Sequence, residues 1–163
     1  MTPQSMPLPP TSLLARLARD RGAFADAYAL QLPRTVTLAE FVEAFYTTRL
    51  FKAERVLLRL FGKPSTDAMA RAVARGEGPR LAIWTVEARE GDELLMHEDS
   101  GATRSWFRAE SGAGGTTLWF GSAVLPRRRV AGGEPRFGVV FHALLGFHRW
   151  YSRALLTAAA RQL

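Results

Sequence analysis

His148, Tyr151 and Ser152 stand three and four residues apart within an apolar C-terminal run, a spacing that a helix turns into neighbouring positions on its surface. An imidazole, a phenol and a hydroxyl so placed can anchor the polar end of an otherwise apolar ligand. Alternatively, His148 and Tyr151 can exchange protons with a substrate in a cyclase- or isomerase-type reaction. No second group at a known spacing supports catalysis, and the structural alternative is a core histidine bonded to a strand carbonyl. Trp84, Trp106 and Trp119 fall in three separate apolar segments and can line a ligand pocket. If they are core instead, each indole N–H needs an acceptor. Phe107 and Phe120 follow two of these tryptophans directly, so in strands they point to the opposite face.

Other chemistry is excluded or outweighed. The chain has no cysteine, which removes disulfides, thiolate metal sites and a cysteine nucleophile together. No Gly-x-Ser-x-Gly or His-Glu-x-x-His motif occurs. His97, Glu98 and Asp99 carry ligand-type atoms, but alternate strand residues face opposite ways and cannot converge alone. We therefore expect no metal, no cofactor and no assigned catalytic residue. The glycines from Gly112 to Gly115 lie between two strands, not between a strand and a helix, and read as a turn. A net charge of +7 permits a nucleic-acid partner, and Arg104 and Arg108 beside Trp106 are the side chains to clamp one. Pairing of those arginines with Glu87, Glu93 or Glu98 on neighbouring strands is the simpler account, so nucleic acid is not expected. The Arg127–Arg129 loop reads as solvated.

The elements that must position these residues follow from periodicity. Residues 1–11 hold four prolines and read as a disordered tail, followed by a short helix over 12–21. Phe24, Tyr28, Leu30 and Leu32 alternate, interrupted by Asp26, which predicts a first strand ended by Pro33. Thr37 and Glu40 have capping-box spacing and open a helix carrying Leu38, Phe41, Val42 and Phe45 on one face. The Thr47–Thr48 pair weakens that pattern before a second set, Phe51, Leu57, Leu58 and Phe61. Thr66 and Asp67 then open a third short helix ending near Gly76. From Leu81 the period is two, predicting strands over 81–89, 93–99, 103–110 and 116–125 joined by short turns, and short turns require antiparallel pairing. The last segment is helical, with Phe137, Val140, Phe141, Leu144, His148, Tyr151, Leu155 and Ala159 on one face. Its wide stripe needs a sheet to cover, which predicts an α+β fold: an antiparallel sheet packed on a long C-terminal helix, with two or three short helices after the first strand.

This order, together with FVEAFYTTRLF at 41–51, TRSWF at 103–107, LWFGSAV at 118–124 and GFHRWYSR at 146–153, resembles an uncharacterised bacterial family related to the START-like, or helix-grip (polyketide cyclase-like), superfamily. The resemblance covers roughly residues 22–163. It implies a sheet gripping the last helix around an apolar cavity for hydrophobic ligands, in a superfamily that includes cyclases, lipid carriers and co-chaperones. Five predicted strands instead of the superfamily's usual seven, and the helix between Ser65 and Gly76, depart from that pattern.

The expectation is one START-like domain over 12–163 that binds a small hydrophobic or aromatic molecule through His148, Tyr151, Ser152, Trp84, Trp106 and Trp119. The alternatives are the cyclase or isomerase and a basic module for nucleic acid or a protein partner; homodimerisation is open. With no signal-like N-terminus and no uncharged apolar run of ~20 residues, a cytoplasmic protein without a membrane span is expected.

Overall fold

The computed structural model describes residues 2–126 and 139–163, with side chains described from Phe147 onward in the last helix. The predicted Arg127–Arg129 loop and Phe137 lie outside the described residues, as do the side chains of Val140, Phe141, His142 and Leu144.

In chain order the elements are β1 (Gln4–Ser5), α1 (Leu13–Arg21), β2 (Phe24–Leu32), α2 (Leu38–Thr47), α3 (Arg49–Leu60), α4 (Asp67–Arg75), β3 (Arg80–Leu81), β4 (Trp84–Glu90), β5 (Glu93–Glu98), β6 (Thr103–Gly112), β7 (Gly115–Val124) and α5 (Val139–Ala160). The seven strands form one antiparallel sheet in the order β1-β2-β7-β6-β5-β4-β3. The architecture is α+β, and no described helix is long and apolar enough to cross a membrane.

Two strands were not anticipated. Residues 4 and 5, expected within a disordered tail, pair with Ala29 and Tyr28 of β2, and the Met6 N–H donates to the Ala27 carbonyl at 3.0 Å. Prolines on both sides hold that strand to two residues, since proline cannot donate to a ladder. The predicted strand from Leu81 is instead broken at Ala82, whose φ of 52° turns the backbone between β3 and β4.

Local chemistry explains the helix boundaries. Thr37 caps α2: its hydroxyl accepts from the Glu40 N–H at 3.2 Å while Glu40 takes the Thr37 N–H at 2.7 Å, worth about 1 kcal/mol. Thr48 ends α2 and caps α3, donating to the Phe45 carbonyl at 2.9 Å and accepting from the Phe51 N–H at 3.1 Å. The weak point in the periodicity is therefore a break between two helices. Gly115 closes the turn before β7 at φ 115°, where a Cβ would stand 2.0 Å from the Leu32 carbonyl oxygen.

Both faces of the sheet are covered. On one, α2, α4 and α5 enclose the larger core, with Phe41, Phe45, Tyr46, Phe107, Leu118 and Leu156 almost wholly buried. The other carries α1, whose Leu13 and Leu14 pack with Trp106, Trp119 and Leu95. That approach is close: a Cβ on Gly121 would meet Leu14 Cδ2 at 2.6 Å and Trp106 Cε3 at 2.9 Å. The sequence assigned the sheet to α5 alone. In the structure α2 shares that duty, because Phe41 and Phe45 stand edge-on to Phe107 with centroids 5.7 and 4.9 Å apart.

Candidate functional site

A cavity of about 230 Å³ lies where α5 and α3 meet the end of the sheet. Phe45, Phe51, Trp84, Phe120 and Leu155 make its wall mainly apolar. Strand alternation supplies the sheet side, since Thr103 and Ser105 share a face with Phe107, and Phe120 shares one with Ser122. From α5, His148, Tyr151 and Ser152 enter the wall together at the spacing noted in the sequence.

Four of the six expected site residues therefore line one cavity: His148, Tyr151, Ser152 and Trp84. Trp106 and Trp119 do not. They occupy the opposite face beneath α1, where Trp106 Nε1–H donates to Glu93 at 2.7 Å and Trp119 Nε1–H donates to Glu110 at 3.0 Å. The same Glu93 oxygen receives the Leu13 N–H at the start of α1 at 2.7 Å. Both tryptophans are core residues with satisfied indoles. Trp84 differs, because its buried Nε1 has no acceptor among the described residues.

Two polar groups stand in or beside the wall. In the first, β2 and β7 pair in a register that sets Asp26 directly opposite Ser122. The Ser122 hydroxyl donates to Asp26 Oδ1 at 2.7 Å and lies 2.6 Å from His148 Nε2, while Tyr28 donates to Asp26 Oδ2 at 3.2 Å. Since the serine hydrogen is given to a carboxylate, His148 must donate from Nε2 to the serine oxygen. This order is the reverse of a nucleophilic serine, which must donate to its histidine. Burial raises the Asp26 pKa, but the nearby His148 and the hydrogen bond from Ser122 outweigh it and leave the carboxyl below its ordinary value. Tyr28 is pushed up to about 12, by burial first and then by the adjacent Asp26 charge.

In the second group, Tyr151 donates a short hydrogen bond to Glu54 of α3. Burial is the main cause of an upward shift at Glu54, partly opposed by that bond. Tyr151 is also shifted up, by burial and then by its bond to Glu54. A folded-state pKa raised above the unfolded value contributes stability at low pH that is lost as pH rises through the folded pKa. We therefore expect Glu54→Gln, which keeps an acceptor for Tyr151, to melt higher than the native chain at pH ~8 by a few degrees. That gain should vanish by pH ~4. A melting series across this range checks it, and an equal gain at both ends would mean that Glu54 ionisation is not the cause.

Asp26, Ser122 and Glu54 escaped the sequence reading. Asp26 did leave a signal: it is the polar residue that interrupts the apolar face of β2. Arg104 and Arg108, candidates for nucleic acid, pair with carboxylates. Arg104 Nε lies 2.5 Å from Glu87, reaching across β5 to a bulge in β4, and Arg108 pairs with Asp92 at 3.0 Å and Glu110 at 3.2 Å. Among the described residues no group of three or more His, Cys, Asp or Glu side chains can hold a metal ion. No family model, curated protein or solved structure matches this chain.

Proposed function

We propose that this chain is a START-like, helix-grip ligand carrier whose cavity takes a small, mostly apolar molecule of one or two rings. The observation that carries the reading is the apolar cavity of about 230 Å³ walled by Phe45, Phe51, Trp84, Phe120 and Leu155. An apolar cavity of about 150 Å³ already holds benzene, so this one suits a somewhat larger aromatic or short aliphatic ligand. Ser105, Ser122, His148 and Ser152 are polar groups of the wall, and a few placed polar groups beside apolar walls are what fix orientation in such pockets. The seven antiparallel strands and the C-terminal helix support the helix-grip reading.

A second reading is favoured by the Glu54–Tyr151 pair, an acid–base arrangement in which a desolvated carboxyl is poised to exchange a proton with a bound substrate. Phenols, naphthols and medium-chain fatty acids are the probes. At a hundredfold excess over Kd a ligand adds about 2.7 kcal/mol, a clear rise in melting temperature. Ser152→Phe fills the cavity from α5 and should abolish the rise. A panel that produces no shift in the native chain sinks the carrier reading; turnover lost in Glu54→Gln would move it to the enzyme.

A further inference from the structure

The outer side of α3 is unusual for a helix beside a core. Phe51 is buried and Glu54 turns to Tyr151, yet Val56, Leu57, Leu60 and Phe61 are between 55% and 78% exposed. Of the predicted apolar set, Leu57 and Phe61 therefore face outward. Helical spacing gathers Val56, Leu57 and Leu60 on one stripe, which Phe61 extends. Phe147 and Trp150 of α5 are each 60% exposed, and Phe147 stacks at 5.8 Å on the same Tyr151 that Glu54 holds.

The charges left unpaired around this stripe are positive. Arg49, Lys52, Arg55 and Arg59 stand on α3 against the single carboxylate of Glu54, which is turned away, and Lys63 follows the helix. Asp67 takes Lys52 and Arg55, and Asp99 takes Lys63, leaving Arg49 and Arg59 without a carboxylate partner among the described residues. Arg149 of α5 is exposed too and stands with Trp150 beside Thr2 and Pro3.

We propose that this face docks on an anionic lipid membrane, lying in the interface without spanning it. Leucine, valine, phenylalanine and tryptophan side chains enter the acyl boundary while arginines meet lipid phosphates, the partition that an interfacial amphipathic helix makes. Charge complementarity selects this occupant over a second copy. A two-fold contact would set the same arginines of two +7 chains against each other. The inner side of α3 lines the cavity through Phe51 and Glu54, so docking would bring the cavity wall to the lipid surface. The proposal does not depend on what the cavity holds.

The test is flotation of the full chain with phosphatidylcholine vesicles, with and without about a third phosphatidylglycerol. The expected result is binding to the anionic vesicles at least tenfold tighter than to the neutral ones, weakening as salt rises. Leu60→Glu with Phe61→Glu should lower it at least tenfold while leaving the circular dichroism and the melting temperature unchanged. Arg49→Gln and Arg59→Gln should each cost about fivefold. No binding to anionic vesicles at low salt overturns the proposal, as does equal binding to both vesicle types. A dimer in sedimentation that the glutamate pair dissolves would also overturn it and assign the face to a second copy.

Discussion

Phe107→Ala should remove about 4 kcal/mol of stability, read as a shift in the urea midpoint with an unchanged slope. The ring is wholly buried at the centre of the larger core. It meets Phe41, Phe45, Tyr46 and Phe120 at centroid distances of 5.7, 4.9, 5.4 and 5.3 Å. Truncation loses the transfer free energy of the ring and leaves a hole that four rigid aromatics, fixed on a helix and a neighbouring strand, cannot collapse to fill. Leu57→Ala on the outer side of α3 supplies the contrast, with an expected cost below about 0.5 kcal/mol because Leu57 is mostly exposed. Comparable losses at the two positions would mean that the α2–sheet contact is not the main store of stability.

That contact was half legible in the sequence. The Thr37–Glu40 box and the phenylalanines after it specify α2, and the adjacent Trp106 and Phe107 must face opposite ways whatever the tertiary fold. Alternation does not say which face receives which cover. The sequence therefore leaves Trp106 and Trp119 open between pocket and core, whereas in the structure α1 buries them and the phenylalanines hold the cavity side. β1 and β3 were illegible for a simpler reason: two residues cannot display a period. The single predicted strand from Leu81 hid a turn that required positive φ at an alanine, where no glycine or asparagine announced it. The polar pairs illustrate a third limit. Ser122 and Asp26 are 96 residues apart, and Tyr151 and Glu54 are 97 apart, so each partnership exists only once strand register and helix docking are set. What local sequence did show was the anomaly of each group alone, a histidine on an apolar stripe and an aspartate breaking an apolar strand face.

Asp26→Ala should cost about 2–3 kcal/mol near pH ~7, because one buried carboxylate accepts from both Ser122 and Tyr28 and stands 3.7 Å from His148 Nε2. The Asp26 side chain is only 12% exposed, so water replaces those bonds poorly. The pH dependence separates this loss from simple loss of packing. A carboxyl held below its ordinary value contributes stability that is complete above the unfolded pKa and disappears as pH falls through the lower, folded one. The deficit of Asp26→Ala should therefore be full above the ordinary aspartate value of 3.8 and shrink below it. Glu54→Gln runs the other way, with its effect growing as pH rises. Urea titrations of both variants at acid and neutral pH test the pair, and a deficit at Asp26 that ignores pH would show that charge plays no part. Opposite signs at the two sites would have a chemical meaning. Behind the cavity wall Asp26 is a carboxylate fixed by donors, and the Ser122 it holds contacts His148 at 2.6 Å. In the wall itself Glu54 is a desolvated carboxyl bonded to Tyr151. Ser122 and His148 stand at one part of the cavity wall and Glu54 with Tyr151 at another, so two carboxyls shifted in opposite directions give the wall two chemically distinct polar groups.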